Sequence, residues 1–407
     1  MSKHTRLLYF NALFDLVPGS FKSAAIRSAA DEMTALFLPL GTEEDFILLK
    51  TQLPDEHFCY LQTAGLNLPV PFSDKTNESN LRLLPWGWDE ETAELSRRLG
   101  DISPHPSIPS VRYVNSREFL STISNSIPYG DTDSYFVQTR ADLKHALSVL
   151  ENSFPLVIKP NFGSSGFGFI HLKSKKDVDI NQKSIFGYLE NSAAVIEPWR
   201  NRLTDTSSSI NIEPDGSYSD LRHIRCIVNR YGTFNGALLP PVETSFSDSH
   251  LSTISDCIKA LVPGILKAGY FGPVGIDSYT YLDNNGQIQL SPVVEINARH
   301  VVSDIARSLQ DKLCPEKYCF LRFASRKMMP LPDSYETFSS KLGEFNFSLE
   351  SKEGILLVTP LRVYNHSSVQ PYRNCFFISA DSPEKIFRLD EILLSSFSKK
   401  RRGGSGI

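Results

Sequence analysis

The chain has 407 residues, 41% hydrophobic and 22% charged, which is the balance of a soluble globular enzyme and too long for a single core, so two or three subdomains are expected. A net charge of −4 argues against a general nucleic-acid binder. The six cysteines are scattered without zinc-type pairing, and no apolar run approaches the roughly 20 residues that span a bilayer, so free thiols in a reducing cytoplasm and no membrane partner are expected.

The run LLYFNALF near the start is followed by Asp15 and Pro18 with no small-residue cleavage site, and it suits a first strand rather than a signal peptide. Strands are expected at residues 7–10, 46–49 and 58–61. A helix is expected over 23–36, with Ala24, Ile26, Ala29, Met33 and Phe37 on one side. Such alternation implies a small α/β domain with a parallel sheet over residues 1–110. In LLPWGWDEETAELSRRLG, Trp86 and Trp88 precede an acidic helix start for which Asp89 is the expected N-cap. The two Trp side chains suit packing at a domain seam, with a substrate platform as the alternative. The Pro- and Ser-rich residues 101–109 suit a boundary loop, residues 115–118 open a helix, Tyr135, Phe136 and Val137 follow, and 141–150 is helical again.

The segment FPLVIKPNFGSSGFGFI carries the first chemistry. Leu156, Val157 and Ile158 form a buried strand that ends on Lys159, a cation costly to bury unless an anion meets it. Gly163, Ser164, Ser165, Gly166 and Gly168 then form a loop whose backbone N–H groups and hydroxyls can close on an oxyanion, and residues 169–172 suit a return strand. This is neither a P-loop, which needs a GKS or GKT ending, nor a dinucleotide fingerprint, since no helix opens after the glycines. A flexible hairpin with a surface lysine is the plainer alternative.

A second strand at 193–196 ends on Glu197, Pro198 and Trp199, and the hairpin-rich stretch beyond it suits antiparallel pairing, with turns at Asp215-Gly216 and Tyr231-Gly232. An amphipathic helix is expected over 251–268, ended by Gly269. Two strands then meet at the Asn285-Gly286 turn, and a further helix begins near Val301. In PVVEINARH, Val293, Glu295, Asn297 and Arg299 point one way while Val294, Ile296 and Ala298 point the other. If the strands pair, Asp277 reaches the face of Glu295 and Asn297. Two carboxylates and an amide oxygen suit Mg²⁺ bridging phosphates, and Arg299 adds a fixed cation for a transferring phosphoryl group. A solvated face of an edge hairpin is the alternative.

The ordered set of Lys159 with its Gly/Ser loop, Glu197 after a strand, and Asp277 with Glu295, Ile296 and Asn297 resembles the ATP-grasp superfamily over about residues 5–310. The resemblance is strongest to carboxylate–amine ligases, including the peptide and amino-acid ligases of natural-product pathways. It implies a mixed α/β and α+β fold, with an N-terminal Rossmann-like α/β subdomain and two α+β subdomains holding ATP between them. The implied divisions are 1–110, an ATP-grasp region 111–310 (111–200 with the glycine flap, 201–310 with the metal acids), and a C-terminal extension 311–407 ending in a disordered basic tail. The implied cofactors are ATP and Mg²⁺, with Mn²⁺ as an alternative.

Carried over by residue, Lys159 contacts the α- and β-phosphates and residues 163–168 form the flap over them. Glu197 lies near the adenine amino group, with Pro198 and Trp199 as hinge backbone, and Asp205 is the candidate for the ribose. Asp277, Glu295 and Asn297 hold the metal, and Arg299 is the arginine that follows the asparagine. Two departures stand out. Arg117 occupies the place of a second phosphate lysine. Val274 and Gly275 occupy the neighbourhood of an arginine before the first metal acid, so Arg225 or Arg222 is expected to make the acyl-phosphate contact.

The implied reaction joins a small-molecule carboxylate to an amine, such as an amino acid or peptide, through an acyl phosphate, releasing ADP and phosphate. No Ser-His-Asp set is apparent, and His300 is either a base for the amine or a structural residue. The alternatives are a carrier-protein thiol or other non-amine acceptor, and a non-catalytic ATP-binding regulatory module. A nicotinamide oxidoreductase is disfavoured because no GxGxxG follows residues 7–10. A homodimer is a candidate assembly. The identities of the substrates are not encoded in any readable pattern.

Overall fold

The structure, a computed structural model, describes residues 5–14, 30–73, 81–124, 127–128, 133–163, 168–219, 221–228, 234–240, 246–365, 367–369 and 373–397. Strands β1 (Arg6–Tyr9), β2 (Phe46–Ile47), β3 (Val70–Pro71) and β4 (Arg82–Pro85) form the expected parallel sheet, in the order β3-β2-β1-β4. Of the helix expected over 23–36, residues 23–29 lie outside the described residues, and a 3-10 helix runs over Met33–Leu40.

Residues 58–61 are not a strand. They lie inside helix α1 (Asp55–Thr63), which starts behind Pro54 with Asp55 and Glu56 in its first turn. Carboxylates at a helix N-terminus favour the helix over the β-propensity of the aromatic residues. Helix α2 (Glu90–Leu99) is capped as expected, the Asp89 carboxylate accepting from Thr92 N–H at 2.8 Å. The Pro/Ser-rich stretch holds an unexpected helix α3 (Ile108–Val114), started by the Ser107 side chain with Pro109 in the first turn. Helix α4 (Arg117–Ile123) follows, with Ser116 as its N-cap.

The second sheet has the antiparallel order β5-β8-β6-β7, built from β5 (Tyr135–Val137), β6 (Leu156–Pro160), β7 (Ile170–Leu172) and β8 (Ala194–Pro198). Helices α5 (Arg140–Val149), α6 (Lys175–Ile180) and α7 (Gln182–Asn191) belong to this region, and Leu143, Ile158, Ile185 and Ile196 are among its buried core.

The third sheet is antiparallel. Its order is β13-β12-β9-β10-β11-β14-β18-β15. The first five in chain order are β9 (Asn201–Ile212), β10 (Arg222–Val228), β11 (Phe234–Leu239), β12 (Gly272–Leu282) and β13 (Ile288–Asn297). β14 (Tyr318–Ser325), β15 (Gly354–Leu357) and β18 (Arg373–Ala380) complete it, so the strands beyond residue 310 continue the same sheet. A separate hairpin pairs β16 (Val363–Asn365) with β17 (Ser367–Val369).

Helix α8 (Asp248–Lys267) buries Ile254, Ile258, Leu261 and Ile265 in one core with Val274, Ile276 and Ile296. Each such side chain contributes about 2 kcal/mol by leaving water. Helix α9 (Val302–Leu313) shares a core with the 3-10 helix, which ties the N-terminal sheet to the large one. Helices α10 (Tyr335–Leu342) and α11 (Pro383–Phe397) cover the C-terminal strands. The six cysteines are free thiols, four of them buried, with Cys59 exposed, and the Cys314 and Cys319 sulfurs lie 3.5 Å apart. Residues 231–232 and the basic tail lie outside the described residues. Among the described residues no helix is long and apolar enough to cross a membrane.

Candidate active site

The register of the large sheet sets the acidic part of the site. Asp277 pairs directly with Glu295 across β12 and β13, and with Ser207 across β12 and β9. Side chains of directly paired residues share a face, so both carboxylates project together. Asn297, two residues on, donates to Asp277 Oδ2 at 3.4 Å. Burial and the facing Glu295 push the Asp277 carboxyl up to about 7, against a hydrogen bond from Ser207 and the charge of Arg299. Two carboxylates and an amide oxygen on one face are hard donors that fit a divalent cation, whose charge would let both acids ionise. Among the described residues no group of three His, Cys, Asp or Glu side chains converges, so Asn297 is needed to complete the set.

Arg299 follows at the end of β13. Its guanidinium donates to Asn297 Oδ1 and to the His300 carbonyl, each at 2.9 Å, and lies 5.1 Å from the Trp86 ring. Trp86 is buried at the seam between the N-terminal sheet and the large sheet, and its carbonyl accepts from His300 N–H at 2.9 Å. Packing at a seam is therefore its observed place. The His300 ring is held by Asp304 Oδ2 at 3.0 Å and set edge-on to Phe37.

The small sheet brings the cations. Lys159 on β6 and Glu197 on β8 lie on the same face, and their side chains meet at 2.5 Å. Burial pushes the Glu197 carboxyl up, but the charge and hydrogen bond of Lys159, with Arg202 and Arg117 behind it, hold it below its ordinary value. Glu197 thus answers the anion that the sequence required for Lys159. Arg117, at the start of α4, donates to Glu295 Oε1 at 2.7 Å and to the Pro160 carbonyl at 2.6 Å. It therefore ties the two sheets together at the acidic pair.

Of the flap, Ser164, Ser165 and Gly166 lie outside the described residues. Gly163 lines a neighbouring cavity beside Phe14 and Trp88. Gly168 has φ 81°, and its carbonyl accepts from the Tyr188 hydroxyl at 2.5 Å. Pro198 ends β8, and Trp199 N–H donates to the Pro155 carbonyl at 2.7 Å. Asp205 on β9 accepts from Arg202 at 2.9 Å and lines the same cavity as Lys159 and Asp277.

Arg225 is a correction. It pairs with Thr206 and Leu238, whereas Cys226 pairs with Asp205 and Ile224 with Ser207. Arg225 therefore faces away from Asp277, on the opposite side of the sheet. Arg222 is exposed and pairs with Asp311 at 3.5 Å. The position two residues before Asp277 is Gly275, and a Cβ there would lie 2.4 Å from Val301 Cγ1, so no arginine fits. Arg117, bonded to Glu295, and Arg299, bonded to Asn297, line that cavity beside the acids.

One cavity of about 230 Å³ is lined by Arg117, Lys159, Asp277, Glu295, Asn297 and Arg299 together. Sequence reasoning missed Phe169, whose ring lies 5.7 Å from the Arg117 guanidinium and 5.5 Å from the Lys159 ammonium. It also missed Arg202, which stacks 4.2 Å from the Tyr279 ring. A large aromatic closing the glycine loop, and an arginine three residues before an acid, were the available signals.

No protein-family model matches the sequence, and no curated protein matches it either. Solved structures do match the fold. Biotin carboxylase from Campylobacter jejuni, described as a β-γ-ATP complex, is 11% identical with a TM-score of 0.56, covering 97% of this chain and 92% of its own. Phosphoribosylamine–glycine ligase from Thermotoga maritima is 13% identical with a TM-score of 0.55, covering 95% and 96%. An ADP complex of N5-carboxyaminoimidazole ribonucleotide synthetase is 13% identical with a TM-score of 0.54, covering 96% of each chain. The chain has the ATP-grasp fold.

Proposed function

We propose that the protein is an ATP-dependent carboxylate–amine ligase that works through an acyl phosphate. The observation that carries this reading is the directly paired Asp277 and Glu295, with Asn297 and Arg299 beside them, facing Lys159 and Arg117 across one cavity. The similar solved structures support it: two are named as a carboxylase and a ligase, and one is an ADP complex of a synthetase.

In this reading a substrate carboxylate oxygen attacks the γ-phosphorus of ATP, the bond to the β-phosphate bridging oxygen breaks, and ADP leaves. An amine then attacks the acyl carbon, the carbon–oxygen bond to phosphate breaks, phosphate leaves, and the nitrogen loses a proton to solvent. Lys159 and Arg117 offset phosphate charge, and Arg299 holds the group in transfer by electrostatics and positioning. Asp277, Glu295 and Asn297 would hold Mg²⁺, which supplies charge neutralisation at the phosphates. Arg117 and Glu295, now paired, would part or share that charge. Glu197 keeps Lys159 charged and aimed. Phe169 would pack beside the phosphate cations, Pro198 and Trp199 would supply backbone beside the base, and Asp205 would take the ribose.

The test is ADP and phosphate release from MgATP across pooled amino acids and small carboxylates. Release that needs two pooled components supports the ligase. ATP binding without release from any pool would contradict it.

A further inference from the structure

Across the large sheet, one row of directly paired residues runs Glu295, Asp277, Ser207, Ile224 on β13, β12, β9 and β10. It passes from two acids through a hydroxyl to an apolar side chain on a single face. Beyond it, β10 presents Cys226 and Val228 to the same cavity, and β11 presents Phe234. The charged residues of that strand are directed elsewhere: Arg225 lies on the opposite face, and Arg222 pairs with Asp311. Asp205, which faces Cys226, is bonded to Arg202 at 2.9 Å. Val228 and Phe234 are only half-buried, so their apolar surface is open to the cavity. Ser207 and β11 are two strand spacings apart, about 10 Å, which is room for a short alkyl chain or an aromatic ring.

We propose that the carboxylic acid activated at this site carries an apolar tail, seated on Ile224, Cys226, Val228 and Phe234 with its carboxylate toward Asp277 and Arg299. This inference rests on the ligase reading above. The phosphoryl end of the cavity is dense in charge, whereas Ile224, Cys226, Val228 and Phe234 turn apolar side chains toward it; among the described residues, Arg373 donates to the Phe234 carbonyl at 2.8 Å and Ser303 lines the same cavity. A second carboxylate or an ammonium laid against those four side chains would lose water that they do not replace. An alkyl or phenyl tail gains about fourfold in affinity for each methylene it buries.

The experiment measures ADP release from MgATP with the full-length protein, using hydroxylamine as the acceptor. Its nitrogen attacks the acyl carbon, the carbon–oxygen bond to phosphate breaks, phosphate leaves, and the nitrogen loses a proton to solvent. Hexanoate, 3-phenylpropionate and propionate are compared with succinate and L-glutamate. The expected result is a kcat/KM for hexanoate or 3-phenylpropionate at least tenfold above that for succinate and glutamate. Phe234→Ala, with Val228→Ser as a second variant, is expected to lower the hexanoate-to-propionate ratio at least fivefold. Succinate or glutamate equal to or better than hexanoate would overturn the inference while leaving the ligase standing. So would a ratio unmoved in both variants. Absence of acid-dependent release with every acid would remove the ligase reading, and the inference with it.

Discussion

Lys159 and Glu197 form a 2.5 Å ion pair across neighbouring strands of the small sheet, each less than a tenth exposed. Their backbone positions are diagonal rather than opposite, since Lys159 pairs with Val195 and Val157 with Glu197. Long side chains can bridge such diagonals. A buried pair of this kind is weak as a stabiliser but costly to break from one side.

Lys159→Met is therefore expected to destabilise the protein by about 3–5 kcal/mol, because Glu197 is left charged and buried. The double variant Lys159→Met, Glu197→Leu is expected to recover most of that loss. Urea unfolding of the two variants measures it. A Lys159→Met variant as stable as the parent would show that the pair is not formed in solution.

Gly275→Ala tests the seam between the acidic strand and the chain entering α9. The added Cβ would meet three atoms of the Val301 side chain at 2.4, 3.2 and 3.3 Å. A β-branched side chain has little rotamer freedom to yield. Overpacking here is expected to cost about 1–3 kcal/mol. Because Arg299 lies two residues before Val301, turnover should fall by more than ATP affinity. Thermal unfolding and steady-state kinetics of the variant check both.

Acid sensitivity should trace in part to His57. The ring is fully buried in α1, and its Nδ1 shares a hydrogen bond with the Tyr335 hydroxyl at 2.8 Å. Burial lowers its pKa from 6.5 to about 3. The unfolded chain therefore binds one more proton between those values. Its contribution is lost as pH falls below 6.5, reaching about 2 kcal/mol by pH 5. His57→Leu is expected to flatten the pH dependence of unfolding between pH 7 and 5. An unchanged slope would contradict this assignment.

The acidic set was legible because alternation along one strand is local, and Glu295, Asn297 and Arg299 carry their own phase. Arg225 was not, because its face depends on register against β9 and β11, which the strand does not encode by itself. Lys159 and Glu197 were each visible, but their bond needs two strands joined across more than thirty residues. The helix over 55–63 was hidden by its aromatic residues, although Asp55 and Glu56 after Pro54 signal a helix start. The strands beyond residue 310 looked like an extension because nothing local says that β14 will sit beside β11.

Glu295→Gln keeps the shape of the side chain and removes its charge. It should lower acid-dependent ADP release by about 10²–10³-fold, in the range seen when one transition-state electrostatic contact is removed. Circular dichroism should show an unchanged fold. Full activity in this variant would place the metal acids elsewhere.

The most direct measurement follows oxygen from the carboxylate. With an accepted acid labelled in its carboxylate by ¹⁸O, the acyl-phosphate route carries one labelled oxygen into inorganic phosphate for each amide formed, with ADP as the nucleotide product. The account predicts that stoichiometry. Label found in AMP, or amide formed with unlabelled phosphate, would contradict it.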